Sequence, residues 1–281
     1  MIKTIAVLIT CYNRKESTIK CLKALHNQTG IGESYSIQVF LVDDASTDGT
    51  GAEVKKLFPE VTIICGNGEL YWNQGMRLAW ETAVESFDYG YYIWLNDDTI
   101  MNQMAVVELM NSYNDIQNET NKSSIIVASC KKSDTEAIFS YGGRTESGPV
   151  IPNGKLQECK YINGNLVLIP REIFHSIGNL ANEYTHGMGD FDYGLSAINK
   201  GFKCYVSRVY IASCPQNEGT PKWCNPKIKL SDRWKSFHTP LGLNIKEYKY
   251  FRQKFWGEKW IIFAIKAYLK MLFPNLYSKM L

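Results

Sequence analysis

The apolar positions in the first hundred residues switch between two patterns. Residues 5–9, 37–42, 61–64 and 91–95 are short, nearly unbroken apolar runs rich in Val, Ile and aromatic side chains, as buried strands are. Between them lie residues 15–27, 51–57 and 75–86, where apolar side chains recur three and four apart; Ile19, Leu22 and Leu25 share one helix face. Strand and helix alternate, so the chain predicts an α/β fold with a mostly parallel sheet and right-handed crossovers. A helix opens near residues 104–110 and a further strand covers 125–128. Beyond that the pattern loosens. Residues 141–144 and 149–154 predict loops or short hairpins, and 161–170 one strand with a polar interruption. Residues 190–200 predict a helix stopped by Gly201, and 202–206 with 209–211 complete the sheet. No internal repeat or low-complexity linker divides the chain.

Ligands of open parallel sheets gather beyond the carboxyl ends of the strands. Three such ends are polar here: Thr10 to Arg14, Asp43-Asp44, and Asn96-Asp97-Asp98. Burying an unpaired carboxylate is costly, so Asp97 and Asp98 are expected at the strand mouth, facing water or a cation. Mg²⁺ and Mn²⁺ suit one or two carboxylates plus phosphate oxygens. The alternative is a helix cap formed by Asp98 or Thr99, and the run from Asp43 to Gly49 also suits a turn and cap. A carboxylate after the second strand can equally accept a hydrogen bond from a base N–H or a ribose hydroxyl. No G-x-G-x-x-G follows the first strand, which argues against a dinucleotide fold. A phospho-acceptor receiver domain would carry its acid pair after the first strand, where Thr10-Cys11-Tyr12 stands.

Taken together, the segments Leu8 to Arg14, Val42 to Thr50 and Leu95 to Thr99 resemble the signatures of family 2 glycosyltransferases. Gly66 to Met76 is similar to a loop of that family's rhamnosyl- and galactofuranosyltransferase-like branch, and Gly189 to Leu195 resembles its catalytic-base motif. The resemblance implies a GT-A fold, Rossmann-like, with a mostly parallel central sheet flanked by helices over residues 1–215. Residues 1–100 would bind the nucleotide sugar and 101–215 form the acceptor side with the base. By the same resemblance, Thr10, Tyr12, Arg14, Asp44 and Asn67 surround the nucleotide. Trp72, Gly75 and Met76 lie near the diphosphate and donor sugar. Asn96 takes the first place of the D-x-D-type motif, Asp97 orients the sugar or a metal-bound water, and Asp98 ligates Mn²⁺ or Mg²⁺. Asp190 is the general base, with Asp192 beside it supporting catalysis or binding the acceptor.

Chemistry supports such a pairing. A carboxylate can take the proton of an attacking hydroxyl, and a cation can stabilise the departing diphosphate, so acids on opposite sides of the anomeric carbon suit displacement with inversion. The implied activity is inverting transfer of a sugar, rhamnose foremost, from a UDP- or dTDP-sugar to a lipid-linked saccharide in surface polysaccharide synthesis. A sugar nucleotidylyltransferase is the enzymatic rival, but it would want a glycine-rich basic loop where Thr10 to Arg14 lies. A non-catalytic nucleotide- or sugar-binding module is the other. One departure stands out: a metal-binding His often follows the family's last core strand, and Cys214 occupies that stretch here. His186, just before the base motif, reads as a solvated loop residue first, with a loop His contacting donor or acceptor as the alternative.

Composition adds the last element. The net charge is +3, yet residues 222–281 hold 13 Lys/Arg against 3 Asp/Glu, leaving the remainder acidic. Residues 216–281 are therefore expected to form a basic, aromatic helical extension. It suits an amphipathic helix on an anionic membrane surface, or a helix packed on the catalytic domain or on a second subunit of a homodimer. No nucleic-acid module accompanies the charge. The eight cysteines lack C-x-x-C spacing and look like reduced core residues, so no zinc site is expected. With no leader expected at the N-terminus, the chain would be cytoplasmic, peripheral on the inner face of the membrane.

Overall fold

In the computed structural model, which describes residues 2–216 and 219–277, the apolar runs become the centre of one ten-stranded sheet. Residues 278–281 of the basic tail lie outside the described residues. The chain runs β1 (Lys3–Cys11), α1 (Lys15–His26), β2 (Tyr35–Asp43), α2 (Thr50–Leu57), β3 (Thr62–Cys65), α3 (Tyr71–Ser86) and β4 (Tyr91–Leu95). Then come β5 (Ile100–Met101), α4 (Ala105–Thr120), β6 (Ser124–Lys131) and four short strands, β7 (Phe139–Tyr141), β8 (Arg144–Thr145), β9 (Gly148–Pro149) and β10 (Gln157–Cys159). Strand β11 (Leu166–Pro170), helices α5 (Arg171–Ile177) and α6 (Gly189–Asn199), and β12 (Lys203–Ser213) follow.

The sheet order is β10-β12-β6-β11-β4-β1-β2-β3, with β5 and β7 pairing β12 and β6 outside that path. Strands β1 to β4 are mutually parallel, β11 is antiparallel between β4 and β6, and β6 is parallel to β12. The six strands β1, β2, β3, β4, β6 and β12 thus share a direction, and their carboxyl ends open on one edge. Alternation along β1 divides the core. Ile5, Val7 and Ile9 face α1, α2 and α4 through Leu22, Leu25, Val54 and Leu109, while Ala6 and Leu8 face α3, α5 and α6 through Trp80, Ile173 and Tyr193. Helices on both faces leave the carboxyl edge as the open place for a ligand.

Four boundaries differ from the sequence pattern. Helix α3 begins at Tyr71 rather than residue 75, because a loop anchored on Asp44 places Tyr71 and Trp72 in its first turn. Helix α4 extends to Thr120, its polar second half carried by buried Tyr113 and Ile116. Residues 161–165 are not strand; they form a loop before β11. The two last strand segments are one strand, β12, with register shifts between Val206 and Ala212. Ser207 and Arg208 interrupt the apolar pattern there, but the buried Ser207 hydroxyl accepts the Ser129 N–H and donates to the Val209 carbonyl, so the strand continues.

After a 3₁₀ turn at Lys222–Cys224, the C-terminal segment forms α7 (Leu230–Phe237), α8 (Ile245–Trp256), α9 (Trp260–Leu272) and α10 (Pro274–Tyr277). Phe237, Ile245, Ala267 and Met271 make its own small core, and Phe251 of α8 packs with Tyr184 and Leu195 of the preceding part. All eight cysteines are free thiols. Among the described residues no helix is long and apolar enough to cross a membrane.

Candidate active site

A cleft of about 630 Å³ opens at the carboxyl edge of the sheet. Thr10, Tyr12, Arg14, Asp44, Trp72, Asn96, Asp97, Asp98 and Asp190 all line it. The loops after β1 and β2 hold each other in place. The Asn13 N–H donates to Ser46 Oγ at 2.9 Å, Asn13 Oδ1 accepts the Thr47 N–H at 2.7 Å, and Asp48 Oδ2 accepts the Lys15 N–H at 3.0 Å. Asp43 accepts the Ser46 N–H at 3.0 Å. Asp43 and Asp48 therefore perform the turn and cap chemistry that the sequence left open, and Asp44 does something else.

Asp44 organises the glycine loop. Its Oδ1 accepts the Gly68 N–H at 2.7 Å, and its Oδ2 accepts the N–H groups of Leu70 and Tyr71 at 2.9 and 3.1 Å. A side chain at Gly66 would put Cβ 2.5 Å from Asp44 Oδ1, and Gly68 has φ +88°, so both glycines are required by this loop. The loop in turn presents Tyr71 and Trp72 to the cleft. Trp72 donates its indole N–H to Asn96 Oδ1 at 2.7 Å, which gives the Asn at that place a defined partner.

The acid pair is bridged by Arg14, whose guanidinium donates to Asp97 Oδ1 at 3.0 Å and to Asp98 Oδ2 at 2.7 Å. Asp97 is 4% exposed, and its Oδ2 is buried without a hydrogen-bond partner. Burial pushes its pKa up to about 7; Arg14 opposes that rise and the Asp98 charge adds to it. The pair is short of positive charge even with Arg14 in place, so these residues fit a cation. Cys214 reaches the same spot: its thiol lies 3.5 Å from Asp98 Oδ1 and accepts the Asn165 side-chain N–H at 3.3 Å. Burial, with Asp98 next, pushes the thiol up to about 12, so it stays protonated at neutral pH. Among the described residues no cluster of three His, Cys, Asp or Glu could hold a metal. A bound cation would need ligands from a substrate or water as well as Asp98.

Asp190 stands at the first turn of α6, partly buried in the cleft. Its carboxylate accepts the Gly164 N–H at 3.0 Å and the Phe191 N–H at 2.8 Å. Burial pushes its pKa up to about 6 against these hydrogen bonds, so it is ionised at neutral pH yet close to taking a proton. A Cβ at Gly164 would collide with the Trp72 ring, so only glycine lets residues 163–165 approach both Trp72 and Asp190.

The loop that carries His186 and leads into Asp190 is gripped from two sides. From α3, the Asn73 side chain donates to the carbonyls of Ala181 and Tyr184 at 2.9 and 2.7 Å, and the Trp72 N–H points to His186 Nδ1 at 3.4 Å. From α8, Glu247 accepts the Thr185 N–H and hydroxyl at 3.1 and 2.7 Å. Lys254 holds both oxygens of Asp192 at 2.7 and 2.9 Å, and the Tyr184 hydroxyl donates to the same carboxylate at 2.7 Å.

Four expected site residues do not line the cleft. Asn67 is exposed and its Oδ1 accepts the Glu69 N–H of its own loop. Gly75 packs against Thr10, where any side chain would collide with the hydroxyl, and Met76 lies fully in the core. Asp192 is 2% exposed and bound to Lys254, so it supports the loop rather than facing a substrate. The cleft wall instead includes His186, Tyr141, the 163–165 loop and Leu241. His186 is partly buried, which lowers its pKa; it is not the solvated residue expected. The strand-like apolar pattern of residues 161–170 hid the 163–165 loop. Its one visible signal was the Asn-Gly-Asn interruption itself.

A family model described as glycosyl transferase family 2 matches residues 6–160. Among solved structures, TarS 1–349 of S. aureus in complex with UDP-GlcNAc is similar at a TM-score of 0.56 and 12% identity, covering 90% of this chain and 73% of that one. The mannosyltransferase PcManGT of Pyrobaculum calidifontis, in complex with GDP-Man and Mn²⁺, is similar at 0.56 and 14%, covering 95% and 74%. These likenesses concern the fold and agree with the expected GT-A architecture. No curated protein sequence matches the chain.

Proposed function

The chain belongs to glycosyl transferase family 2; we propose that it transfers a sugar from a nucleotide-sugar donor with inversion, Asp190 serving as general base. The observation that carries this is the shared cleft: a carboxylate with a pKa of about 6 and the Arg14-bridged acid pair line the same cavity. The nucleotide would lie along Thr10, Tyr12, Arg14 and the loop built on Asp44, with Asn67 at its rim. Trp72, fixed by Asn96, would form a wall for the diphosphate and sugar. Gly75 lets Thr10 take its place, and Met76 supports the floor from the core. In the transfer step the acceptor oxygen forms a bond to the anomeric carbon, its proton passes to Asp190, and the bond to the diphosphate oxygen breaks. The Gly164 and Phe191 amides aim the Asp190 carboxylate. Asp192 and Lys254 act by holding the loop.

Asp98 would hold Mn²⁺ or Mg²⁺, with Asp97 orienting the sugar or a metal-bound water, and that cation would stabilise negative charge on the leaving diphosphate. The mannosyltransferase solved with GDP-Man and Mn²⁺ supports the use of a divalent cation. The similarity of residues 66–76 to the rhamnosyltransferase-like branch supports a UDP- or dTDP-linked sugar, rhamnose first. A saccharide acceptor on a lipid, in surface polysaccharide synthesis at the inner membrane face, completes the proposal. Residues 1–215 would then be the catalytic domain and 216–281 its extension.

The test is thermal unfolding with a panel of UDP-, dTDP- and GDP-sugars, with and without Mn²⁺. A UDP- or dTDP-sugar at a hundredfold above its Kd adds about 3 kcal/mol to stability, a rise of roughly 5–10 °C in Tm. If no nucleotide sugar shifts Tm under either condition, the donor-site assignment fails.

A further inference from the structure

Helix α9 buries only one side. Ala264, Ala267 and Met271 face inward, while Ile261, Ile262, Ile265, Leu269 and Leu272 are each between 38% and 54% exposed. At about 100° per residue, positions 261, 265, 269 and 272 fall on one stripe with 262 at its flank, and Phe273, 56% exposed, follows immediately. A soluble helix normally puts polar side chains on that face; here it is apolar along its length, about 20 Å. The apolar surface continues onto α7, where Trp234 is 50% exposed and its ring lies 6.4 Å from that of Tyr268.

The border of the stripe is basic. Lys259 and Lys266 are exposed; one acid, the exposed Glu258, stands just before the helix, and no Asp or Glu follows it from Lys259 to Leu281. A second copy docking through this face would bring lysine borders together, which like-charge repulsion opposes. A surface that offers apolar depth beneath a layer of negative charge satisfies both features. We propose that α9 docks this protein on an anionic lipid bilayer, lying in the interface with the Ile261–Leu272 stripe immersed and its lysines among the headgroups. The helix does not span the bilayer. The same C-terminal segment contributes Leu241, 73% exposed, to the wall of the cleft, so docking would join the cleft's own wall to the membrane-bound segment.

Vesicle flotation of the full chain, without any donor, tests the proposal independently of the catalytic assignment. Vesicles of phosphatidylcholine with phosphatidylglycerol should carry the protein, and pure phosphatidylcholine should carry about tenfold less. Ile265→Glu/Leu269→Glu and Lys259→Glu/Lys266→Glu should each reduce binding by about tenfold or more. Both should keep a single cooperative thermal transition within a few degrees of wild type, because the altered side chains are about half exposed or more. Absence of binding to the anionic vesicles, equal binding to both vesicle types, or retained binding by either double variant overturns it. So does a wild-type dimer in sedimentation that Ile265→Glu/Leu269→Glu dissociates, which would assign the face to a second copy.

Discussion

Replacing Asp190 by Asn removes the proposed base while keeping nearly the same shape. Two effects follow, and they separate catalysis from folding. A general base contributes about 10²–10⁴-fold, so kcat should fall by that factor with KM for the donor nearly unchanged. For the wild-type enzyme, kcat/KM should rise with pH through the Asp190 pKa of about 6 and then level off, because the base must be ionised. The variant should lose that limb. Stability should move the other way. The folded pKa of about 6 lies above the ordinary 3.8, so the folded state keeps a proton that the unfolded chain has released. Raising the pH from 3.8 through 6 therefore costs stability, to a limit of about 3 kcal/mol for two pKa units at 1.36 kcal/mol each. Asp190→Asn lacks this contribution, so it should gain stability relative to wild type between pH 4 and 7, followed by urea unfolding at each pH. A variant that keeps activity within about threefold and retains the pH limb, measured by nucleoside diphosphate release, would show that Asp190 is not the base.

Lys254→Met should destabilise the protein by about 2–4 kcal/mol in urea unfolding, because it leaves the buried Asp192 carboxylate without its cation. Adding Asp192→Asn should recover most of that loss. Gly75→Ala should weaken donor binding and lower stability by about 1–3 kcal/mol, since its methyl group would displace Thr10 from the cleft wall. Arg14→Met should reduce stability by about 1–3 kcal/mol at neutral pH, tempered because the Arg14 side chain is 47% exposed. Without the guanidinium the Asp97 pKa should climb further above its present value of about 7, so the stability lost as pH rises should extend to higher pH than in wild type. Thermal unfolding from pH 5 to 9 measures that difference.

Half of the site could be read from residue order because strand ends in a parallel sheet converge. The apolar runs at 5–9, 37–42 and 91–95 placed Thr10 to Arg14, Asp44 and Asn96 to Asp98 on one edge, and the structure brings them into one cleft. What the pattern could not show was how each carboxylate is used. Asp44 and Asp192 carry the same side chain, but one accepts three amides of a loop and the other holds a lysine sixty-two residues away in the chain. Such long-range partners leave no periodic trace. Residues 161–165 failed for another reason: their apolar flanks matched a strand, and only the contact of Gly164 with Trp72 and Asp190 explains the break. In the tail, charge balance alone left membrane surface and packed helix equally open. The structure gives α9 one buried face and one exposed apolar face, a distinction that needs its neighbours' positions as well as its own sequence.

Hydrogen–deuterium exchange with and without UDP or dTDP, in the presence of Mn²⁺, tests most directly whether this cleft is the donor site. Slower exchange should appear together in peptides covering residues 8–16, 42–48, 66–76 and 95–100, the loops at the carboxyl ends of β1 to β4. Protection confined to other segments, or none with either nucleotide at saturating concentration, would contradict the assignment of this cleft to a nucleotide-sugar donor.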